Sequence, residues 1–179
     1  MEAKTKRKLF WFSALATTVT AGAFGLSIAV LNTGASDRKY YEYKYSTLDS
    51  YINSVKLPGL ADQQVKNLLQ KADVNYHNPN QFDDLDFLYQ QFREILKQAL
   101  KPRLDKFTNY NISLILQTQN TKQLVDAWNS IDNIEEFYQI LPKIKDVNKQ
   151  NQLETEFRAS ITPDNTSAVL AKAQMEIQK

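Results

Sequence analysis

The sequence predicts an all-α protein in which an N-terminal transmembrane helix precedes a bundle of about five to seven short helices. Glycine and proline, which strand-rich folds need for their turns, number only 4 and 5 in 179 residues. Apolar residues recur at helical spacing through most of the chain. Residues 9–36 form a run of 28 without an ionisable side chain. About 20 residues are enough for a helix to cross a bilayer, so this run is long enough.

We interpret residues 9–36 as a retained membrane anchor. The alternative is that residues 1–23 are a signal peptide, which is removed by cleavage at the small-residue site Ala21-Gly22-Ala23. Such cleavage would leave a mature chain beginning FGLSIAVL, whereas a signal peptide normally turns polar near its cut. The basic segment 1–8 lies directly before the run, which predicts a cytoplasmic N-terminus and an extracytoplasmic C-terminal domain.

Small side chains form a ridge along the predicted transmembrane helix. A ridge of this kind lets another transmembrane helix approach closely, so it predicts helix pairing with a second copy or with a partner subunit. The alternative is that export segments are simply rich in Ala, Thr and Gly. The ridge recurs at every fourth position and consists of Ser13, Thr17, Ala21, Gly25 and Ala29.

Tyrosines are concentrated directly after the predicted anchor, and five of the nine lie within residues 40–51. We interpret residues 37–45 as a juxtamembrane linker. Tyrosine rings favour the headgroup layer, so an interfacial collar is expected. If the linker is extended, alternate tyrosines share one face and bind a protein partner instead. The candidate interfacial or partner-binding residues here are Tyr40, Tyr41, Tyr43 and Tyr45.

The first part of the domain at residues 46–179 predicts three helices. The first begins at Ser46 as N-cap and ends before Pro58 and Gly59. The second, ADQQVKNLLQKA, is followed by the polar turn NYHNPNQ. The third, FDDLDFLYQQFREILKQALK, has the clearest apolar stripe, and Pro102 breaks or kinks it.

The second part of this domain is less regular. Residues 109–118 fit either a short strand or a helical turn, and the sequence does not decide between them. Two helices follow, the second with Asp132 and Glu135 at capping-box spacing. The Asn- and Gln-rich stretch 144–157 has weak periodicity and is compatible with a loop. A final helix has Pro163 in its first turn.

The sequence lacks the motifs of common catalytic and metal sites. It has no cysteine and one histidine, His77, so the usual zinc sites and nucleophile–histidine triads cannot be assembled. It has no glycine-rich nucleotide-binding loop. The acidic stretch FDDLDF lacks the Gly and Glu of an EF-hand loop, and acids at a helix N-terminus complement its dipole. We predict a non-enzymatic protein without metal, cofactor or small-molecule substrate.

The formal net charge of +2 is unevenly distributed. Residues 1–8 carry +3, whereas residues 37–179 contain 18 basic and 19 acidic side chains and net −1. A nucleic-acid-binding domain normally has a basic excess, so nucleic acid is not an expected partner. The expected partners are a membrane and another protein. Trp128, close in sequence to Phe137 and Tyr138, is a candidate partner anchor if its ring is exposed.

In composition the chain resembles surface proteins of mollicutes, the cell-wall-less bacteria. The shared features are a short basic start, an Ala/Thr-rich anchor and a cysteine-free helical domain rich in Lys, Asn and Gln. Lysine exceeds arginine by 17 to 5, and Asn and Gln together number 29. The resemblance implies a cell-surface location and transfers no functional residue.

These observations predict a membrane-anchored, non-enzymatic protein-interaction protein that displays a helical domain on the outer face. The alternative function is a small accessory subunit of a larger membrane-bound complex, such as a secretion, motility or ATPase machine. In both, the expected segments are a cytoplasmic start at 1–8, an anchor at 9–36, a Tyr-rich linker at 37–45 and an extracytoplasmic domain at 46–179.

Overall fold

The computed structural model describes residues 34–77 and 84–178. In these two ranges the chain is helical throughout and contains no strand, which confirms the predicted all-α class. Seven α-helices are present there: α1 Gly34–Ser54, α2 Leu60–His77, α3 Asp84–Leu104, α4 Thr121–Asn129, α5 Ile131–Ile140, α6 Val147–Ala159 and α7 Pro163–Ile177. Three 3₁₀ segments accompany them: Asp105–Tyr110, Ile112–Gln117 and Leu141–Lys143.

Helix α1 occupies the segment that the sequence suggests is a linker. It runs through residues 37–45, so Ser46 lies inside the helix and is not its N-cap. The Ser46 hydroxyl instead donates to the carbonyl of Tyr43 at 3.1 Å. A helix turns by about 100° per residue, so alternate tyrosines do not share a face as they would in an extended chain.

Helices α2 and α3 pack against each other, and residues near the middle of α1 connect it to both. The Tyr45 hydroxyl on α1 donates to Asp73 Oδ1 near the end of α2 at 2.9 Å. The Tyr89 hydroxyl near the start of α3 donates to the carbonyl of Lys44 at 2.8 Å. The C-terminal end of α2 therefore lies beside the middle of α1. Their shared core contains Leu48, Ile52, Val55, Val65, Leu68, Ala72, Leu85, Leu88, Phe92 and Leu96.

The connection between α3 and α4 resolves the ambiguity of residues 109–118. Pro102 lies inside α3, which ends two residues later at Leu104. The chain then forms two 3₁₀ segments joined by Asn111, whose φ of 52° is left-handed. Phe107 has non-helical dihedrals, φ −120° and ψ 38°, so the α-helix is not resumed. Most of residues 109–118 are therefore 3₁₀-helical, which agrees with the helical-turn alternative and not with a strand.

The aromatic residues of α4, α5 and α6 form the core of the second part of the domain. The rings of Phe137 and Phe157 stack with centroids 4.0 Å apart. Tyr138 contacts Phe157 edge-to-face at 5.9 Å. Trp128 is only 8% exposed and belongs to the same core, so the exposed ring that a partner anchor requires is not present here. Its large apolar ring is used to stabilise the fold.

Local capping signals determine where the last two helices begin. Residues 144–157, which the sequence leaves compatible with a loop, lie largely in α6. The N-cap of this helix is Asp146, whose side chain accepts hydrogen bonds from the backbone amides of Asn148 and Lys149. Helix α7 has Thr162 as its N-cap, and Pro163 lies in its first turn, which is the position that the sequence predicts for this proline. The Asn165 side-chain amide donates to the carbonyl of Ser160 at 2.6 Å and so links the end of α6 to α7.

None of the helices within the described ranges is both long and apolar enough to cross a membrane. Apart from residues 34–36, the predicted anchor lies outside those ranges. So do the basic segment 1–8, the alternative cleavage site and the whole small-residue ridge, Ser13, Thr17, Ala21, Gly25 and Ala29.

Candidate functional site

The four candidate tyrosines of α1 have different environments. Tyr41 and Tyr45 are partly buried against the core. Tyr45 also makes the hydrogen bond to Asp73 that joins α1 to α2. Tyr40 meets Tyr41 edge-on, with ring centroids 5.7 Å apart. Tyr45 therefore has a structural role in the bundle, in addition to any contact outside it.

Tyr43 is the tyrosine that α1 presents to solvent, with 68% of its surface exposed. An open concavity of about 580 Å³ borders it, and its described lining is Lys39, Glu42, Tyr43, Tyr45 and Ser46. We call the exposed part of this lining, Lys39, Tyr43 and Ser46 together with the half-buried Glu42, the α1 outer face. It combines one aromatic ring with an ammonium, a carboxylate and a hydroxyl.

This composition suits a protein interface better than a reaction centre. Aromatic anchors surrounded by polar groups are typical of protein-binding surfaces. An active site needs titratable groups that converge on one point, and an enclosure that excludes water. The α1 outer face is open, and Lys39 and Glu42 lie three positions apart on a single helix. We therefore treat it as a candidate interaction surface.

Lys44, between these residues in sequence, is used inside the bundle. Its Nζ forms an ion pair with Asp86 at the start of α3. The same ammonium lies 5.1 Å from the centroid of the Tyr40 ring, within the range of a cation–π interaction. Asp86, one of the three acids of FDDLDF, is thus a partner for Lys44. Of the other two, Asp83 lies outside the described residues.

The strongest charge cluster in the domain joins the end of α3 to α5. Arg103 Nε donates to Glu135 Oε1 at 2.8 Å, and its Nη2 donates to Glu135 Oε2 at 2.9 Å. The same Nη2 donates to Asp132 Oδ1 at 2.6 Å. The hydrogen bonds from Arg103 lower the pKa of Glu135 and, reciprocally, raise the pKa of Arg103. Both charges are satisfied by each other, as in a structural ion pair.

Asp132 and Glu135 do not form the capping box that their spacing predicts, because both side chains bind Arg103 instead. The N-cap of α5 is Ser130, whose side chain makes no capping hydrogen bond. Both carboxylates point to Arg103, 29 and 32 positions earlier in the chain. A charge-assisted, two-pronged contact with a guanidinium is stronger than a hydrogen bond to a single backbone amide.

The buried phenols are held in their neutral form. Burial raises the pKa of Tyr89 and of Tyr138 well above the ordinary value of 10.0. The hydroxyl of Tyr138 is buried without a hydrogen-bond partner among the described residues. It lies within an aromatic cluster that includes Phe107 and Tyr110. These phenols are core residues.

No group of three or more His, Asp and Glu side chains in residues 34–77 and 84–178 is arranged to hold a metal ion. His77 ends α2, and its Nδ1 lies 2.8 Å from the carbonyl of Asp73. Helix α2 therefore continues through residues 75–77, where the sequence suggests a turn, and the rest of that predicted turn lies outside the described residues.

The chain matches no protein-family model, and comparisons with curated proteins and with solved structures gave no match. The α1 outer face is accordingly interpreted from its geometry and chemistry. Of the candidates from sequence, Tyr43 belongs to this surface, Tyr45 lines it and also pairs with Asp73, and Trp128 does not contribute. Sequence reasoning missed the Lys44–Asp86 and Tyr45–Asp73 contacts, because each joins residues far apart in the chain.

Proposed function

We propose that this chain is a membrane-anchored, non-enzymatic protein that displays its helical bundle to a protein partner on the outer side of the membrane. The observation that carries the proposal is the α1 outer face, where a 68% exposed tyrosine stands among charged and polar side chains. The uncharged run at residues 9–36 supplies the anchor, and α1 is already helical at Gly34.

The distribution of charges in the bundle supports a binding role. The best-positioned ionisable groups, Arg103, Glu135 and Lys44, are engaged in contacts between helices. Catalysis needs such groups to be available to a substrate. In contrast, a partner needs an accessible aromatic anchor with a polar rim, and Tyr43 with Lys39 and Glu42 offers that.

Site-specific photo-crosslinking in native membranes tests the partner surface. A photoreactive phenylalanine analogue replaces Tyr43 in one variant and Leu60 in the other, because Leu60 is 69% exposed and so matches Tyr43 in accessibility. We expect an adduct of defined mass from position 43 and none from position 60. The double charge reversal Lys39→Glu with Glu42→Lys should remove the adduct. Equal adducts at both positions, or none at position 43, would contradict the proposal.

The membrane anchor has its own test, which is independent of the partner. We expect the native protein to begin at or near Met1 by mass spectrometry and to stay in the membrane during carbonate extraction. A start at Phe24 together with release into the soluble fraction would show that the apolar run is a signal peptide. The protein would then be a secreted helical binder.

The small-residue ridge favours a second candidate function, that of an accessory subunit in a larger membrane complex. Gly25→Ile would place a branched side chain on the ridge, whereas Leu26→Ile leaves the ridge unchanged and serves as the control. If the chain is such a subunit, Gly25→Ile should shift a native-gel band of the detergent-solubilised complex to lower mass. An unchanged band in both variants would count against this candidate.

A further inference from the structure

The connection between α3 and α4 contains the longest uncharged run that follows the predicted anchor. Residues 107–121, FTNYNISLILQTQNT, lie between Lys106 and Lys122 and carry no ionisable group except the phenol of Tyr110. We call these 15 residues the uncharged segment. Runs of this kind are rare on the surface of a soluble helical domain, where charges keep neighbouring molecules apart.

The middle of the uncharged segment has the residue pattern of a self-pairing strand. Residues 111–117, NISLILQ, include two isoleucines and two leucines and contain neither proline nor glycine. Six- or seven-residue stretches with low charge and without proline or glycine pair readily with identical copies, because stacked chains then meet without charge repulsion. Asparagine and glutamine side chains at the two ends add ladders of hydrogen bonds when such copies stack.

In the folded domain this stretch has a conformation that local preference does not support. It forms the 3₁₀ segment Ile112–Gln117, whose hydrogen-bond geometry is poorer than that of an α-helix. The segment is entered through the left-handed Asn111. The sequence of residues 111–117 favours a strand, whereas the fold holds them in a short 3₁₀ turn. A conflict of this kind between local preference and fold lowers the stability of the local structure.

Tertiary contacts hold the stretch less firmly than they hold α3. Ile112 is buried, and Ile115 and Leu116 are partly buried where they pack against the core. Leu114 is 52% exposed, although it is aliphatic. Residues 92–100 of α3, in contrast, contribute three completely buried side chains. Fewer buried contacts lower the free energy needed for local opening, so we expect the stretch to open more readily than α3.

From these observations we propose that residues 111–117 are a self-association segment, which opens locally and pairs as β-strands with the same residues of a second copy of this chain. The Asn111 turn and the Ile112 contact oppose opening in the single molecule. At high local concentration, as on a crowded membrane, pairing between copies competes with them. This inference does not depend on the proposed partner surface on α1.

Amide hydrogen exchange on the full chain in mild detergent tests the opening step. We expect amides in residues 112–117 to exchange at least on the order of a hundredfold faster than those in residues 92–100 of α3, because local opening costs less than global unfolding. Exchange of both regions at the same rate would overturn the proposal, since the segment would then open only when the whole domain unfolds.

Two charge-adding variants test the pairing step. Leu114→Lys places a charge in the stretch, and Leu60→Lys places the same charge at the start of α2, with both parent side chains exposed. Unchanged far-ultraviolet circular dichroism shows that each variant folds. We expect Leu114→Lys to slow the growth of thioflavin-positive aggregates on gentle heating by on the order of tenfold, and Leu60→Lys to leave it nearly unchanged. Equal slowing by both variants, or a protease-resistant aggregate core without residues 111–117, would overturn the proposal.

Discussion

Arg103 shows how one side chain can hold two helices together. Its guanidinium makes three hydrogen bonds to Asp132 and Glu135 and is only 29% exposed. The Glu135 side chain is 19% exposed, so water screens the contact only in part. Surface ion pairs such as Lys101 with Asp105 have the same charges but remain in water. We expect the two kinds of pair to differ in their contribution to stability.

Arg103→Ala should lower the free energy of unfolding by about 1–2 kcal/mol, because the 19% exposed Glu135 then keeps only its longer contact with Lys106 at 3.6 Å. The matched control Lys101→Ala removes an exposed ion pair. It should change the free energy of unfolding by less than about 0.5 kcal/mol. Urea denaturation followed by circular dichroism measures both values. Equal effects of the two substitutions would show that the Arg103 cluster contributes no more than a surface pair.

The contribution of Glu135 should depend on pH. Its pKa in the folded protein lies below the ordinary value of 4.5, chiefly because Arg103 donates to the carboxylate. The ionised form is therefore favoured by folding, so this stabilisation is complete above pH 4.5 and is lost as the pH falls through the lowered pKa. The pKa of Arg103 is raised, so Arg103 stays charged throughout.

Glu135→Gln should accordingly cost stability near neutral pH and progressively less in acid. Denaturation curves of the natural chain and of Glu135→Gln, recorded over a series of pH values, measure this difference. In an Arg103→Ala background the pH-dependent part should largely disappear. A constant difference at all pH values would mean that the carboxylate is not stabilised by its partner.

At the scale of single elements, helix starts with local signals were predictable. Pro163 indicated the first turn of α7, because a proline at this position and the helix that it begins are neighbours in sequence. Asp146 supplies an equally local signal for α6, but the weak periodicity of residues 144–157 concealed it.

Elements that depend on distant residues were not predictable. The capping-box spacing of Asp132 and Glu135 is a local signal, and Arg103 on another helix overrides it. The contact between Tyr45 and Asp73 could not be predicted, because the sequence around Tyr45 does not show which helix packs against it. Tyr43 was a candidate from sequence, but its exposure became evident only once α1 was known to be helical through residues 37–45.

The N-cap of α6 provides a test at this scale. Asp146→Ala removes the acceptor of two backbone amides and should cost about 0.5–2 kcal/mol. Asp146→Asn is the matched control, because asparagine caps a helix about as well as aspartate. Thermal unfolding of the two variants measures the difference. If the asparagine variant loses as much stability as the alanine variant, the helix start depends on charge and not on the capping hydrogen bonds.

At the scale of the whole molecule, residues from Asp37 onward form one compact unit. Its core extends through all seven α-helices, from Leu48 in α1 to Ala173 in α7. Leucine side chains in this core, such as Leu96 and Leu100, are completely buried, and each contributes about 1.5–3 kcal/mol. The chain has no disulfide to support this core.

Residues 37–179, produced alone, should therefore fold into a helical monomer. We expect a helical circular dichroism spectrum and one cooperative unfolding transition, because the core is continuous. Sedimentation velocity should give the mass of a single chain. A fragment that is insoluble, or that unfolds without a transition, would contradict this expectation and would favour the accessory-subunit function, in which the domain needs a larger partner.

The helical course of residues 37–45 also decides which of their tyrosines a partner can reach. As flexible chain, these nine residues would have an end-to-end distance of about 15–18 Å and could turn any of the four rings toward a partner. As helix they span about 13.5 Å, and Tyr43 is the ring that is exposed. Its backbone is already ordered, so a partner that binds this ring would lose little conformational entropy of the chain on association.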